Sequence, residues 1–327
     1  SVALMSMAMG ALGVPAISLN AFQVTMHTTS RYSDARLKKV DKERILHELE
    51  SRKIVIVTGF QGINKYDDVT TLGRGGSDTT AVALAASLHA DVCEIFTDVE
   101  GVYTADPRVV SDARKLKEIT YDEMLDLATL GAKVLHNRSV EMAKKYDVKL
   151  IVRSSLNKEE GTIVKEEVKL EKMLISGVAS DKNAARISII GVKDEPGIAF
   201  RIFNLLAKEN INVDIILQSV GRDGTKDISF TIAEGSLNEA LGILKNAKNR
   251  ITAQNLEFEE DVAKVSIVGA GMMTNPGVAA KMFEALYNEG INIKMISTSE
   301  IRVTVLIEEE KVDRAVRAVH AAFSLGE

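Results

Sequence analysis

Residues 72–81 (LGRGGSDTTA) bring together a guanidinium at Arg74, glycines at Gly73, Gly75 and Gly76, and the short polar side chains of Ser77 and Asp78. A run of small residues, 81–88, follows at once and reads as a helix. Such a combination can hold an anion. Glycine lets the backbone take positive φ and approach a ligand closely. The first turn of a helix offers unpaired N–H groups and the positive end of its dipole, and arginine grips a carboxylate or phosphate through two parallel bonds. A surface turn capped by Ser77 or Asp78 accounts for the same residues, and both readings stand at this point.

A second polar cluster, residues 97–108 (TDVEGVYTADPR), follows an apolar run. Tyr103 could stack on a nucleobase, Arg108 could meet phosphate, and Asp98 could accept from a sugar or an adenine amine. A loop stiffened by Pro107 with its own Asx turn is the competing reading. Gly131 then precedes Lys133, Val134 and His136 at the start of another helical pattern. There Lys133 could also reach phosphate, or sit exposed in a first turn whose dipole disfavours it.

These residues need a scaffold, and up to about Val164 the chain alternates short apolar runs with helical patterns. Strands are predicted at 16–19, 54–58, 93–97 and 149–152, rich in Val and Ile as strands covered on both faces are. Helices are predicted at 41–52, 79–89, 121–130 and 132–146, with Thr120 and Glu123 at capping-box spacing before the third. The alternation implies an α/β layer with a mostly parallel sheet, whose ligands bind beyond the carboxyl ends of the strands. Both polar clusters fall in such connections, the first after a hairpin turning through residues 64–68.

Composition bounds the class. The 327 residues, 46% hydrophobic and 27% charged, suit two or three globular domains. A net charge of −5 without a basic stripe argues against nucleic acid. Cys93, the single cysteine, excludes an internal disulfide framework, fits a reducing cytoplasmic setting and reads as a buried core thiol. His27, His47, His89, His136 and His320 show no metal-ligand spacing. Residues 1–16 carry no charge, yet lack the positive leader of a secretory signal and are too short to span a membrane, so they read as a buried helix.

Beyond Gly161 the character changes. Residues 165–172 (KEEVKLEK) are dominated by charge, as a linker or solvated face is. Residues 196–219 then align without gaps on 276–299, an offset of 276 − 196 = 80. Each copy follows a β-rich run (185–192 or 264–269) and continues into further strands (227–233, 301–307) and helices (237–245, 312–323). The pattern is a βαββαβ unit used twice. The turns at Asp194-Glu195-Pro196-Gly197 and Asn275-Pro276-Gly277 lead into helices that could take a carboxylate, and Asp194 could hold an amine.

In this order and spacing, residues 73–81, 96–108 and 131–137 (GAKVLHN) closely resemble the aspartate kinases of the amino-acid kinase family, and the repeats resemble paired ACT domains. The resemblance covers nearly the whole chain. It implies an α/β fold in four parts. Residues 1–164 would be the C-terminal portion of an amino-acid kinase domain, an α/β/α sandwich around a mainly parallel sheet, and 165–180 a linker. Residues 181–258 and 259–327 would be two ferredoxin-like ACT units. The implied reaction passes the γ-phosphate of ATP to the β-carboxylate of L-aspartate. That carboxylate, with a pKa of about 3.9, is ionised at neutral pH and needs no general base, so positioning and charge neutralisation are the main tasks.

By the same resemblance Arg74 binds the α-carboxylate of aspartate, Gly75, Gly76 and Ser77 line that site, and Asp78 organises the reaction centre. Thr97, Asp98, Tyr103, Arg108, Lys133 and Val134 contact ATP, and Mg²⁺ arriving with ATP is the one metal expected. Asp194, Gly197, Gln218, Asn292, Ile293, Ser299 and Glu300 become contacts for an amino-acid effector, lysine first and threonine as its partner. Sharing of those sites across an interface implies a homodimer or larger assembly. The family's Lys-Tyr-Gly-Gly strand does not occur in this sequence, nor does its Gly-Glu pair within residues 1–164, so the chain is expected to lack the N-terminal catalytic portion and to be inactive alone. Two other functions fit the residues: a kinase of the same fold acting on another small anion, and an effector-binding fragment without catalysis.

Overall fold

A computed structural model describes the chain except residues 133, 167–173, 220–223, 248–250 and 274. The chain divides into two compact units, Ser1–Tyr103 with Lys115–Glu171, and Thr104–Arg114 with Lys172–Glu327.

The first unit runs α1 (Val2–Ala11), β1 (Ala16–Leu19), β2 (Met26–Thr28), β3 (Leu37–Val40), α2 (Glu43–Glu50), β4 (Ile54–Val57), β5 (Gln61–Ile63), β6 (Val69–Thr71) and α3 (Gly76–Leu88). It continues with β7 (Cys93–Thr97), β8 (Glu118–Thr120), α4 (Tyr121–Thr129), α5 (Asn137–Tyr146), β9 (Leu150–Ser154) and β10 (Thr162–Lys165). The strands form three small sheets, β1-β4, β3-β2-β5-β6 and β7-β9-β10-β8. The pairs β1/β4, β2/β5, β7/β9 and β8/β10 are parallel, while β2/β3, β5/β6 and β9/β10 are antiparallel, so this is a mixed α/β unit.

Local chemistry sets several of these boundaries. Asn64 turns the β5–β6 hairpin, its side chain accepting from the N–H groups of Tyr66 and Asp68 at 2.8 and 3.1 Å. Helix α4 starts on the reciprocal capping box of Thr120 and Glu123. The helix predicted at 132–146 starts only at Asn137, because Gly131 turns with φ 112° and His136 caps α5 by accepting from the Arg138 N–H. Helix α1 forms as expected from its sequence but buries none of its residues, against the expectation of a buried helix; Leu4 and Met7 are both 70% exposed. Its apolar residues follow no period and so define no single face for a partner to cover. Cys93 is buried as expected, and burial, then Asp78 and Glu94, push its thiol up to about 11.

The second unit holds β11 (Gly177–Lys193), α6 (Ile198–Lys208), β12 (Val213–Gln218), β13 (Thr225–Ile232), α7 (Leu237–Asn246), β14 (Asn255–Val268), α8 (Val278–Asn288), β15 (Met295–Thr298), β16 (Arg302–Glu308) and α9 (Val312–Ala322). One six-stranded sheet, β12-β13-β11-β14-β16-β15, runs through both repeats. Irregularities between Asp181 and Arg186 divide the long strand β11. Its later part, from Ala185, pairs with β13 and with the start of β14, completing the first repeat. Its opening residues, Gly177 to Asp181, pair with Lys264 to Val268 and serve as the fourth strand of the second repeat. The expected linker 165–180 is therefore corrected: Lys165 ends β10, residues 167–173 lie outside the described residues, and 177–180 are sheet. The charge run masked the short apolar strand behind it.

The boundary at residue 164 also needs correction, because Thr104–Arg114 belongs to the second unit. Ala105 and Val110 are buried in the second repeat's core among Val265, Met282 and Val316. The Thr104 carbonyl accepts from the Val178 N–H at 2.7 Å. Among the described residues no helix is long and apolar enough to cross a membrane.

Candidate active site

The turn before α3 is built on left-handed glycines, Gly73 at φ 77° and Gly75 at φ 68°, with Gly75 as the N-cap. No side chain caps the helix, so Ser77 and Asp78 sit inside its first turn instead of closing a surface turn. The turn capped by Ser77 or Asp78 is thereby excluded. Thr79 and Thr80 donate back to the carbonyls of Gly75 and Gly76 at 3.2 and 2.8 Å, and the Thr80 hydroxyl accepts from the Phe60 N–H at 3.0 Å. The small residues are required by contact as well as by φ. A Cβ on Gly75 would stand 2.3 Å from the His136 ring, and one on Gly76 2.8 Å from the Phe60 ring.

Arg74 and Ser77 are exposed and Asp78 is half-buried. Burial raises the Asp78 carboxyl above the usual range, opposed by the backbone N–H and the ring of His136. Burial lowers the His136 imidazole, and Arg138 adds to that effect. Sequence reasoning did not single out His136 for this place. The helix predicted at 132–146 put His136 inside its first turns, which hid its place as the cap of α5.

The second cluster starts where β7 ends. The Thr97 carbonyl accepts from the Ser155 N–H and hydroxyl at 2.8 and 3.1 Å, and the Thr97 hydroxyl donates to Asp98 at 3.1 Å. Tyr103 donates to Glu100 at 3.2 Å and is raised by burial and by that carboxylate. Val102 N–H donates to the Thr162 hydroxyl at 2.8 Å, which ties the loop to β10. Asp98 stays exposed. Val134 is half-buried in the turn after Gly131, while Lys133 lies outside the described residues. Arg108 falls in the second unit, where its guanidinium folds back on Asp106 at 2.7 Å. The structure thus gathers Thr97, Asp98 and Tyr103 on one loop and places Arg108 in the other unit.

The effector candidates divide between the repeats. In the first, Gly197 caps α6 at φ 86° with open space where a Cβ would stand, and Asp194 is already paired with Lys226 at 2.9 Å. Gln218 is exposed at the end of β12. In the second, Gly277 repeats the open left-handed cap at φ 91°. Asn292, Ser299 and Glu300 are exposed there, and Ile293 packs on the core.

No cluster of three His, Cys, Asp or Glu side chains able to hold a metal occurs among the described residues. Among the described residues the first turn of α3 offers the carboxylate of Asp78. That fits Mg²⁺ carried mainly by phosphate oxygens and water.

The amino acid kinase family model matches residues 1–154, and an ACT domain model matches 187–247 and 265–323. The chain is 49% identical over 326 residues to an aspartokinase of Bacillus sp. (strain MGA3), covering 99% of this chain and 79% of that protein. Among solved structures it is similar to E. coli aspartokinase III in complex with aspartate and ADP, with TM-score 0.85 and 29% identity over 98% of this chain and 72% of that one. The same E. coli enzyme in complex with lysine and aspartate gives TM-score 0.77 and 30% identity, again over 98% and 72%.

Proposed function

Since the chain belongs to the aspartate kinase family, with an amino acid kinase region followed by ACT domains, and is a kinase, we propose that it phosphorylates the β-carboxylate of L-aspartate with ATP, giving 4-phospho-L-aspartate and ADP. The observation that carries this reading is the turn before α3, with its left-handed Gly73 and Gly75 and the exposed guanidinium of Arg74 between them. Arg74 takes the α-carboxylate of aspartate through its fork, and the first-turn N–H groups and dipole of α3 favour the same negative charge. Gly75, Gly76 and Ser77 let the ligand lie close to the backbone. A β-carboxylate oxygen then forms the bond to the γ-phosphorus as the bond to the ADP oxygen breaks.

No proton has to be removed from the attacking group. The work left to the chain is alignment and compensation of charge. Asp78, half-buried at the start of α3, organises the reaction centre. Thr97, Asp98, Tyr103, Lys133 and Val134 are assigned to ATP, a reading that the ADP in the similar E. coli structure supports. Asp78 is the carboxylate that would hold Mg²⁺ brought in with ATP, and the ion would supply positive charge against the phosphate.

The repeats carry regulation in this reading. An amino-acid effector, lysine first and threonine as its partner, uses Asp194, Gly197, Gln218, Asn292, Ile293, Ser299 and Glu300, and shared sites call for a homodimer or larger assembly. Lysine in the second E. coli complex supports the choice. Inhibition requires that the effector favour one of two states of the enzyme. The reaction is placed in the cytoplasm.

Steady-state kinetics of Arg74→Ala in the full-length enzyme test the assignment. The KM for aspartate should rise by about 100-fold, as loss of a charged bidentate contact implies, with the KM for ATP within about twofold. An equal loss for both substrates removes Arg74 from the aspartate site.

A further inference from the structure

Two residues beyond His136, at the start of α5, Arg138 makes contacts that the mechanism above does not use. Its side chain is 15% exposed and reaches three acceptors on two segments distant in sequence. One guanidinium nitrogen donates to the Leu72 carbonyl at 2.7 Å and to Asp34 at 3.1 Å, and the other donates to the Ala35 carbonyl at 3.0 Å. Leu72 lies two residues before Arg74, so the bond fixes the peptide from which the glycine turn departs. The segment around Asp34 is laced to the same turn, because the Ala35 N–H donates to the Thr71 carbonyl at 2.9 Å. Gly73 leaves only 3.2 Å between the position of a Cβ and the Asp34 carboxylate.

The start of α5 holds the other flank of Arg74 as well. His136 stands against Gly75 and faces Asp78 with its backbone N–H. Arg138 is itself oriented by its neighbours, its N–H donating to Asn137 at 2.8 Å and to His136 Nδ1 at 3.3 Å. We propose that Arg138 is a positioning residue for substrate binding: it clamps the peptide before Arg74 while His136 supports Gly75, so that the Arg74 fork meets the substrate carboxylate in one fixed orientation. A planar guanidinium suits three acceptors in fixed directions; an ammonium is a point donor on a flexible stem. The inference rests on the reading of Arg74 as the aspartate ligand. It adds that the quality of this contact is set by a side chain that does not touch the substrate.

Steady-state kinetics of Arg138→Ala, Arg138→Lys and Arg74→Ala in the full-length enzyme, alongside thermal unfolding, provide the test. Misplacement of a substrate-binding group can cost about 100-fold, so Arg138→Ala should raise the KM for aspartate about 10- to 100-fold with the KM for ATP within about twofold. Millimolar guanidinium should recover part of that loss. Arg138→Lys should show the same split in weaker form, and it carries the test if the alanine variant does not fold. If Arg74→Ala raises the aspartate KM selectively while both Arg138 variants leave it unchanged, or move both KM values equally, Arg138 has no positioning role. If Arg74→Ala itself shows no selectivity for aspartate, the underlying reading fails and this inference falls with it.

Discussion

Asp78 shows what a half-buried carboxylate at the start of α3 does to stability. Burial holds its carboxyl above the usual range, so the folded protein resists the charged form more than the unfolded chain does. A raised carboxyl pKa means that the folded state binds the extra proton, and stability is lost as pH rises from the unfolded value through the folded one. At neutral pH the ionised Asp78 is therefore a cost that Asp78→Asn should remove. Thermal unfolding should show the variant at least as stable as the parent at pH 7, with any gain shrinking toward pH 4, while kcat falls at least about 100-fold. Lower stability of the variant at pH 7 would contradict the burial argument. At this scale the sequence was informative where the chemistry is local: Gly73, Arg74, Gly75 and Ser77 stand side by side, and their types alone suggest an anion cradle. His136 and Arg138 were not legible in that role, because Arg138 meets Leu72 from 66 residues away and no spacing rule connects them.

Element by element, the regular features are those whose determinants lie within one turn of chain. Thr120 and Glu123 each accept from the other's N–H at 3.2 Å, so the start of α4 is written in four residues. Thr120→Ala should cost about 1 kcal/mol of unfolding free energy, measurable as a lower urea midpoint with an unchanged m-value. A neutral result would mean that β8 alone fixes that boundary. The hairpin at Asn64 and the internal repeat were legible for the same reason, since turn chemistry and a repeat offset need no tertiary knowledge. The use of residues 177–181 by the second repeat was not. Those residues lie outside the aligned segments 196–219 and 276–299, and their place is set by pairing with Lys264 to Val268, more than 80 positions later. Helix α1 was misjudged because an apolar stretch without a period says that a partner is needed but not where one stands.

On the scale of the molecule, the chain leaves the first unit after Tyr103, contributes Thr104–Arg114 to the core of the second, and returns at Lys115. His320 anchors that excursion. It is 1% exposed, with Nε2 at 2.9 Å from the Thr104 hydroxyl. That hydroxyl already accepts from the Arg114 N–H, so its own hydrogen is free to meet a neutral imidazole. Burial holds the His320 ring below the ordinary value of about 6.5. The unfolded chain then takes up the proton first, and stability falls as pH drops from about 7 through the ordinary histidine range. Thermal unfolding between pH 7.5 and 5.5 should show this decline, shallower in His320→Gln; an identical slope in both would assign the decline elsewhere. The account as a whole stands on which anion the turn at Arg74 receives. Hydroxylamine trapping of the acyl phosphate in the full-length enzyme, with ATP and a panel of aspartate, glutamate and acetylglutamate, measures that most directly. Aspartate alone should yield hydroxamate, in step with ADP; hydroxamate from another acceptor, or ADP release without any from aspartate, would contradict the account.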